Sequence, residues 1–470
     1  KSTFQFCENG AKAVTWEATS KRVTPAFLAE NSVSSLLAKS DFELEGYGRL
    51  THPLRYDRAS DTFRPVDWEE AFQRIGEILR GLEPDQVEFY TSGRASNEAA
   101  YLFQLFAREY GTNNFPDCSN MCHEATSVGL PRSIGIGKGT VSLDDFDKTE
   151  LVISIGHNPG TNHPRMMGTL HELARRNVPI IVFNPLRERA LERFADPQSV
   201  IEMATYGSTD IASTYFQVKA GGDAAALKGI AKHLLEMEAE RGDVLDHAFI
   251  AEHTQGIEEF AADIAQTRWD EIERESGLSQ AALKKVADAY AKSNATIITY
   301  GMGITQHNKG TANVRLIADL LLLRGNIGKP GAGICPLRGH SNVQGNRTVG
   351  ISEKPTPAFL NRLKDVFGFK PPSHHGHDAV QATQAMIDGR AKALICLGGN
   401  FAVAMPDHER GFPAMGNLDL SVHVGTKLNR THLLVGKETF IFPCLGRTEL
   451  DLQATGRQSI TVEDSMSMVH

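Results

Sequence analysis

The residues best able to do chemistry crowd one short stretch, Asp117-Cys118-Ser119-Asn120-Met121-Cys122-His123-Glu124. A thiolate is a nucleophile and a soft-metal ligand, and at a loop-to-helix junction its pKa falls. The Cys-x-x-x-Cys-His spacing is one residue too long for c-type haem attachment, and no second cysteine pair completes a zinc site. Taken alone, Cys118 reads as a small buried hydrophobe, and Cys122 as either that or a reactive thiol. A thiol enzyme using Cys122 and His123 as nucleophile and base is geometrically poor, because adjacent residues at a helix start point apart. Arg338 lies in the polar run Cys335 to Gly345 (CPLRGHSNVQG) after an apolar helix. Such a run is an ordinary loop, yet a planar guanidinium there suits bidentate capture of a small carboxylate. His374, His375 and His377 look like metal ligands, but Pro371 and Pro372 mark an exposed loop and predict solvated rings.

Apolar runs alternating with helical periodicity must position these groups. Trp68, Ala71, Phe72, Ile75, Ile78 and Leu79 recur at helical spacing behind Asp67, with Glu70 placed for a capping box. Val87 to Tyr90 reads as a strand ending in Gly93, and Ser96 caps a helix running to Tyr110 and Gly111. Leu151 to Ile155, Pro179 to Phe183, Ala295 to Tyr300, Ala393 to Leu397 and Leu418 to Val424 repeat the pattern, each exiting into glycine or an amide. This alternation predicts an α/β fold with parallel sheets, which bind ligands at the carboxyl ends of their strands. Neither a Gly-x-Gly-x-x-Gly directly after a strand nor a P-loop occurs, so ordinary NAD and nucleoside-triphosphate fingerprints are missing.

Composition bounds the rest. A chain of 470 residues with 23% charged and 41% hydrophobic residues is globular and too long for one small core. The net charge of −8 gives no global field favouring nucleic acid or an anionic membrane. Six cysteines are too few for a secreted disulfide framework and predict a cytoplasmic setting. No apolar run is long enough for membrane insertion. The chain starts at Lys1 without methionine, and both ends read as cut.

Five motifs in order, SNMCHEATSVGL (119–130), GHNPGTNHP (156–164), GMGITQ (301–306), GNIGKPGAG (325–333) and RGHSNVQG (338–345), give the chain a specific likeness. Together they resemble the molybdopterin oxidoreductases of the DMSO reductase family, and most nearly its formate-dehydrogenase-like alpha subunits, including the YdeP-type branch. The resemblance implies interleaved doubly wound domains around a dinucleotide cleft. Residues 1–51, with about 448–470, would be a partial N-terminal domain. Residues 52–117 plus 341–447 would form one dinucleotide-binding domain, and 118–340 the other. It further implies a bis-molybdopterin guanine dinucleotide cofactor holding molybdenum or tungsten. Cys122 would be the protein ligand to the metal, His123 the proton acceptor and Arg338 the holder of a substrate carboxylate.

For the dinucleotides the resemblance points to Gly156, Asn158, His163, Asn184, Pro185, Gly221, Gly222 and Asp223 on one side. On the other it points to Met302, Gly303, Gln306, Gln344, Gly398, Gly399, Asn400, Thr426 and Asn429. Cys7 is placed like a late ligand of the family's [4Fe-4S] cluster, whose remaining ligands would precede Lys1, and Lys12 is the nearest lysine able to bridge cluster and pterin. By the resemblance, the family's C-terminal β-barrel domain would follow the equivalent of His470, and the expectation is that this chain lacks it. The implied reaction is two-electron oxidation of formate or a similar small oxoanion, with an electron-transfer partner. The competing expectations are a reductase of nitrate or sulfoxide type, and a metal-free scaffold subunit of the same fold.

Overall fold

The computed structural model describes residues 8–464 and 468–470, so Cys7 lies outside the described residues. The described chain divides into two compact units, Cys122–Gly339 and a second made of Glu8–Met121 with His340–His470. The principal strands are β1 (Leu54–Asp57), β2 (Thr62–Pro65), β3 (Val87–Thr91), β4 (Leu151–Ile155), β5 (Ile180–Phe183), β6 (Thr214–Phe216), β7 (Thr296–Tyr300), β8 (Gly333–Pro336), β9 (Ala393–Leu397), β10 (Leu420–Gly425) and β11 (Glu438–Pro443).

In the first unit five parallel strands lie in the order β6-β5-β4-β7-β8. Their period of two sends alternate residues to opposite faces, which is why these runs are continuously apolar. Leu151, Ile153, Ile155, Ile298 and Tyr300 share one core with residues of the helices Asp223–Arg241, Gln280–Lys292 and Gly310–Leu323. Val152, Ile180, Val182 and Ile297 pack on the other face with Met167, Leu170 and Leu173 of the helix Pro164–Arg175. The chain therefore winds outward in both directions from β4, and the crevice for a ligand falls between the carboxyl ends of β4 and β7.

The second unit has the sheet order β2-β1-β11-β10-β9-β3, with β3, β9, β10 and β11 parallel and β1 and β2 antiparallel at the edge. Residues 8–51 belong to it: Val23, Leu28, Leu36 and Leu44 share a core with Leu54, Phe63, Leu433 and Ile441. The helix Trp68–Arg80 starts at Asp67, whose carboxylate accepts from the Glu69 amide at 2.9 Å. The expected capping box does not form, because the Glu70 carboxylate is drawn instead to Arg55 on β1, 3.7 Å away. The helix Asn97–Tyr110 begins with Ser96 accepting from the Ala99 amide and stops at Gly111, whose φ of 119° suits glycine.

Candidate functional site

The short helix Cys118–Cys122 is followed at His123 by the helix Glu124–Ile134, so the thiol of Cys122 and the imidazole of His123 sit at a helix junction. Both are buried. The Cys122 thiol donates to the Met302 sulfur at 3.4 Å, and the Thr305 hydroxyl donates to the Cys122 carbonyl at 2.7 Å. Met302 stands in the loop after β7, so the strand end and the helix junction define one locus.

The proton pattern of His123 follows from its partners. A carbonyl only accepts, so Nε2–H donates to Leu337 O at 3.1 Å and Nδ1 carries the lone pair. The Thr126 hydroxyl then donates to Nδ1 at 3.0 Å and accepts from the Tyr300 hydroxyl at 2.9 Å. Burial first, then the charge of Arg338, pushes the His123 pKa down to about 3, so the ring is neutral near pH 7. Thr126 and Tyr300 escape a reading for chemistry because each is a plain core residue by pattern; the signal for Thr126 was its place three residues after His123.

Arg338 follows Leu337 and is itself buried, with Nη2 donating to Gly137 O at 3.0 Å. His163 Nε2 bonds Arg338 O at 2.9 Å, and His163 Nδ1 lies 2.8 Å from His157 Nε2. Both ring nitrogens of His163 are thus engaged within the chain. His157, inside the GHNPGTNHP motif but not singled out from it, is buried and its pKa is pushed down to about 3 by burial and then by His163.

The loops after β4 and β7 close on each other by backbone. Gly303 N–H donates to Gly156 O at 3.1 Å, and a Cβ on Gly303 would lie 2.8 Å from that oxygen and 2.9 Å from Gly156 Cα. Gly156 has φ +57°, so both positions require glycine, one for space and one for conformation. Asn158 caps the turn Pro159–Asn162 and donates to Glu188 at 2.6 Å. It lines a cavity of about 900 Å³ with Arg187, Arg189, Arg193 and Tyr215. Asn184 is buried and donates to His157 O at 3.4 Å, whereas Pro185 is exposed. Gly221 and Gly222 precede Asp223, whose carboxyl is buried at the start of Asp223–Arg241 and pushed up by that burial. A Cβ on Gly221 would lie 2.7 Å from His307, next to Gln306.

In the second unit the loops after β3, β9 and β10 meet. Gly399 O accepts from Asn429 Nδ2 at 2.9 Å, and Asn400 accepts from the Thr431 hydroxyl at 2.9 Å. A Cβ on Gly398 would touch Ser92, and one on Gly399 would lie 2.8 Å from the Tyr90 ring. Thr426 O accepts from the Leu50 amide. Gln344 is buried on the helix Val343–Thr348, held beside the β3 exit by Asn342 and Asn346, which donate to Ala95 O and Ser92 O. Lys12 is exposed on the helix Glu8–Glu17. Cys118 is buried, as its type suggests, but its sulfur lies 3.3 Å from His340 Nδ1. His377 departs from the expectation of solvated rings: it is half-buried and bonds the fully buried Glu88 at 2.6 Å, while His374 stays exposed against Asp85. Among the described residues no cluster of three or more His, Cys, Asp or Glu side chains is arranged to hold a metal ion, and no helix is long and apolar enough to cross a membrane.

Comparison with known proteins agrees with this architecture. The chain is 58% identical over 475 residues to Protein YdeP of Escherichia coli (strain K12), a match that takes in all of this chain but 63% of that protein. It is 29% identical over 363 residues to a putative formate dehydrogenase of Staphylococcus aureus (strain MRSA252), covering 74% of this chain and 34% of that protein. The solved structure of acetylene hydratase from Pelobacter acetylenicus is similar in fold, with a TM-score of 0.64 at 17% identity over 86% of this chain and 55% of that one. The model of the molybdopterin oxidoreductase family matches residues 49–429, and the chain belongs to that family.

Proposed function

We propose that this chain is the cofactor-binding core of a cytoplasmic molybdenum- or tungsten-dependent enzyme that oxidises formate or a similar small oxoanion. The observation that carries this reading is the convergence of Cys122, His123 and Arg338 in one unit, where His123 bonds the carbonyl of the residue preceding Arg338. The relative named a putative formate dehydrogenase supports the same substrate class.

The residues fit the cofactor the family implies. His157 Nδ1 is a buried acceptor with no donor among the described residues, a match for the N–H groups of a pterin. Cys122 offers a soft sulfur. Asn158, Asn184, Pro185, Gly221, Gly222, Asp223, Met302 and Gln306 are the further contacts proposed in the first unit; His163, expected among them, has both ring nitrogens engaged within the chain and is left out of this set. Gln344, Gly398, Gly399, Asn400, Thr426 and Asn429 are those proposed in the second.

When bound, the metal centre supplies a two-electron acceptor. The chain supplies charge, position and a place for the proton. Arg338 turns its fork from Gly137 O to the substrate anion, a charge-assisted contact in a dry setting. Formate becomes carbon dioxide by losing two electrons and one proton. His123 would receive that proton at Nδ1 through the Thr126 hydroxyl, which passes its own proton to the ring and takes up the incoming one in its place. Burial, and then the charge of Arg338, keeps His123 neutral before the reaction, so its Nδ1 lone pair is available as the acceptor.

The test is elemental analysis for molybdenum, tungsten and iron on the full-length protein, with pterin read by fluorescence and turnover assayed with formate, nitrate and sulfoxides. About one metal and two pterins per chain with formate-dependent dye reduction are expected, and Cys122→Ser should keep the circular dichroism spectrum and abolish turnover. Iron decides the [4Fe-4S] cluster proposed on Cys7 with Lys12 as its bridge. Absence of both metal and pterin in a cofactor-competent host would overturn the enzyme reading in favour of a scaffold subunit.

A further inference from the structure

The carbonyl of Arg338 sets the protonation pattern of two histidines in series. It can only accept, so His163 must carry its proton on Nε2, leaving Nδ1 as a lone pair. That lone pair, 2.8 Å from His157 Nε2, requires His157 to carry its own proton on Nε2. The relay has one polarity, His157 N–H to His163 to Arg338 C=O, and its rings stand 4.8 Å apart. It starts in the loop after β4, against which Gly301 packs so closely that a Cβ there would lie 3.0 Å from the His157 ring. One rigid strand end is thereby coupled to the loop that carries the arginine. On the other side His123 bonds Leu337 O, so the two consecutive carbonyls at 337 and 338 are each held by an imidazole N–H.

We propose that His157 and His163 are positioning residues that fix the backbone of Arg338, and through it the guanidinium, for a small carboxylate substrate. This rests on the reading of Arg338 as the substrate-holding residue. The two rings act through the peptide and touch no substrate. Glutamine at 163 carries a donor and an acceptor in the same order as the required tautomer, so it preserves the relay, whereas alanine breaks it.

The experiment has two arms. In the first, the chain labelled with 15N-histidine is read by long-range 1H–15N correlation: both rings should show the Nε2–H tautomer, and His163→Ala should shift the His157 signals while His163→Gln leaves them in the same tautomer. An Nδ1–H tautomer at either ring overturns the relay, whatever the enzyme does. In the second, full-length cofactor-loaded enzyme is assayed with formate. His163→Ala should raise KM about tenfold with kcat within about threefold, the size expected for loss of one positioning hydrogen bond. His163→Gln should restore KM to within about threefold of wild type at equal metal content. Arg338→Ala is the reference. If it raises KM and His163→Ala does not, the positioning role is wrong and the reading of Arg338 stands; if Arg338→Ala leaves KM unchanged, the reading of Arg338 falls and the positioning role falls with it.

Discussion

Thr126→Val tests the proton pattern around His123 directly. Thr126 is fully buried, and its hydroxyl both donates to His123 Nδ1 at 3.0 Å and accepts from Tyr300 at 2.9 Å. Valine nearly matches its volume, so no cavity opens and the effect is that of two stranded polar groups. Each buried group left without a partner costs about 1–3 kcal/mol, which gives roughly 2–4 kcal/mol for the pair once local relaxation recovers part. Tyr300→Phe removes one donor while Thr126 keeps its bond to His123, at a cost of about 1 kcal/mol. In the double variant the stranded tyrosine hydroxyl is gone, so its loss should not exceed that of Thr126→Val alone, a coupling of about 1 kcal/mol or more. The assay is urea unfolding by tryptophan fluorescence with Trp16 and Trp68 changed to Phe, because Trp269 is then the sole tryptophan and lies in the unit that holds the site. A Thr126→Val variant within about 0.5 kcal/mol of wild type, or strictly additive losses in the double variant, would refute the assigned pattern and the neutral Nδ1 acceptor with it.

Other outcomes follow from the same geometry. Gly303→Ala drives a Cβ to 2.8 Å from Gly156 O and 2.9 Å from Gly156 Cα, atoms that cannot swing aside, and should cost about 1–3 kcal/mol by urea unfolding; a neutral result would show that the two loops are free to part. Arg338→Ala should raise KM for a carboxylate substrate far more than it lowers kcat, as steady-state kinetics on loaded enzyme will read. Burial works to raise the Glu202 pKa, but His171 at 2.8 Å, the Asp196 amide and Thr209 outweigh it and hold it down to about 2. A depressed carboxyl stabilises above its ordinary value near 4.5 and loses that contribution as pH falls toward about 2, so hydrogen exchange in residues 196–209 should quicken over that window. Glu202→Gln should exchange fast at every pH, and a segment whose protection ignores both pH and the substitution would refute the clasp.

Much of this protein was legible because some of its physics is local. Short apolar runs ended by glycine or an amide mark β3, β4, β7 and β9 without help from any other part of the chain, and helix starts such as Ser96 declare themselves by type. Cys122, His123 and Arg338 stood out because thiol, imidazole and guanidinium chemistry is written in residue type, and the order of the motifs pointed to the family. The capping role of Glu70 was misread because Arg55, a competitor fifteen positions upstream, becomes its neighbour only when β1 is in place. His377 was misread for the same reason: an exposed-looking loop delivers it onto Glu88 of β3, whose carboxylate is buried.

The sequence by itself determined which groups are present and which elements carry them. Only the tertiary structure decided how they are protonated and aimed. The tautomers of His123, His157 and His163 depend on carbonyls 214 and 175 positions away and on one neighbouring ring, and a carbonyl's inability to donate fixes them once packing has brought it close. The neutrality of His123 likewise comes from burial and from Arg338, neither of which belongs to its own helix. Backbone contact between Gly156 and Gly303 joins two strand ends far apart in the chain, because the winding direction reverses between β4 and β7. Non-local contacts set electrostatics and proton positions, while local pattern sets the elements.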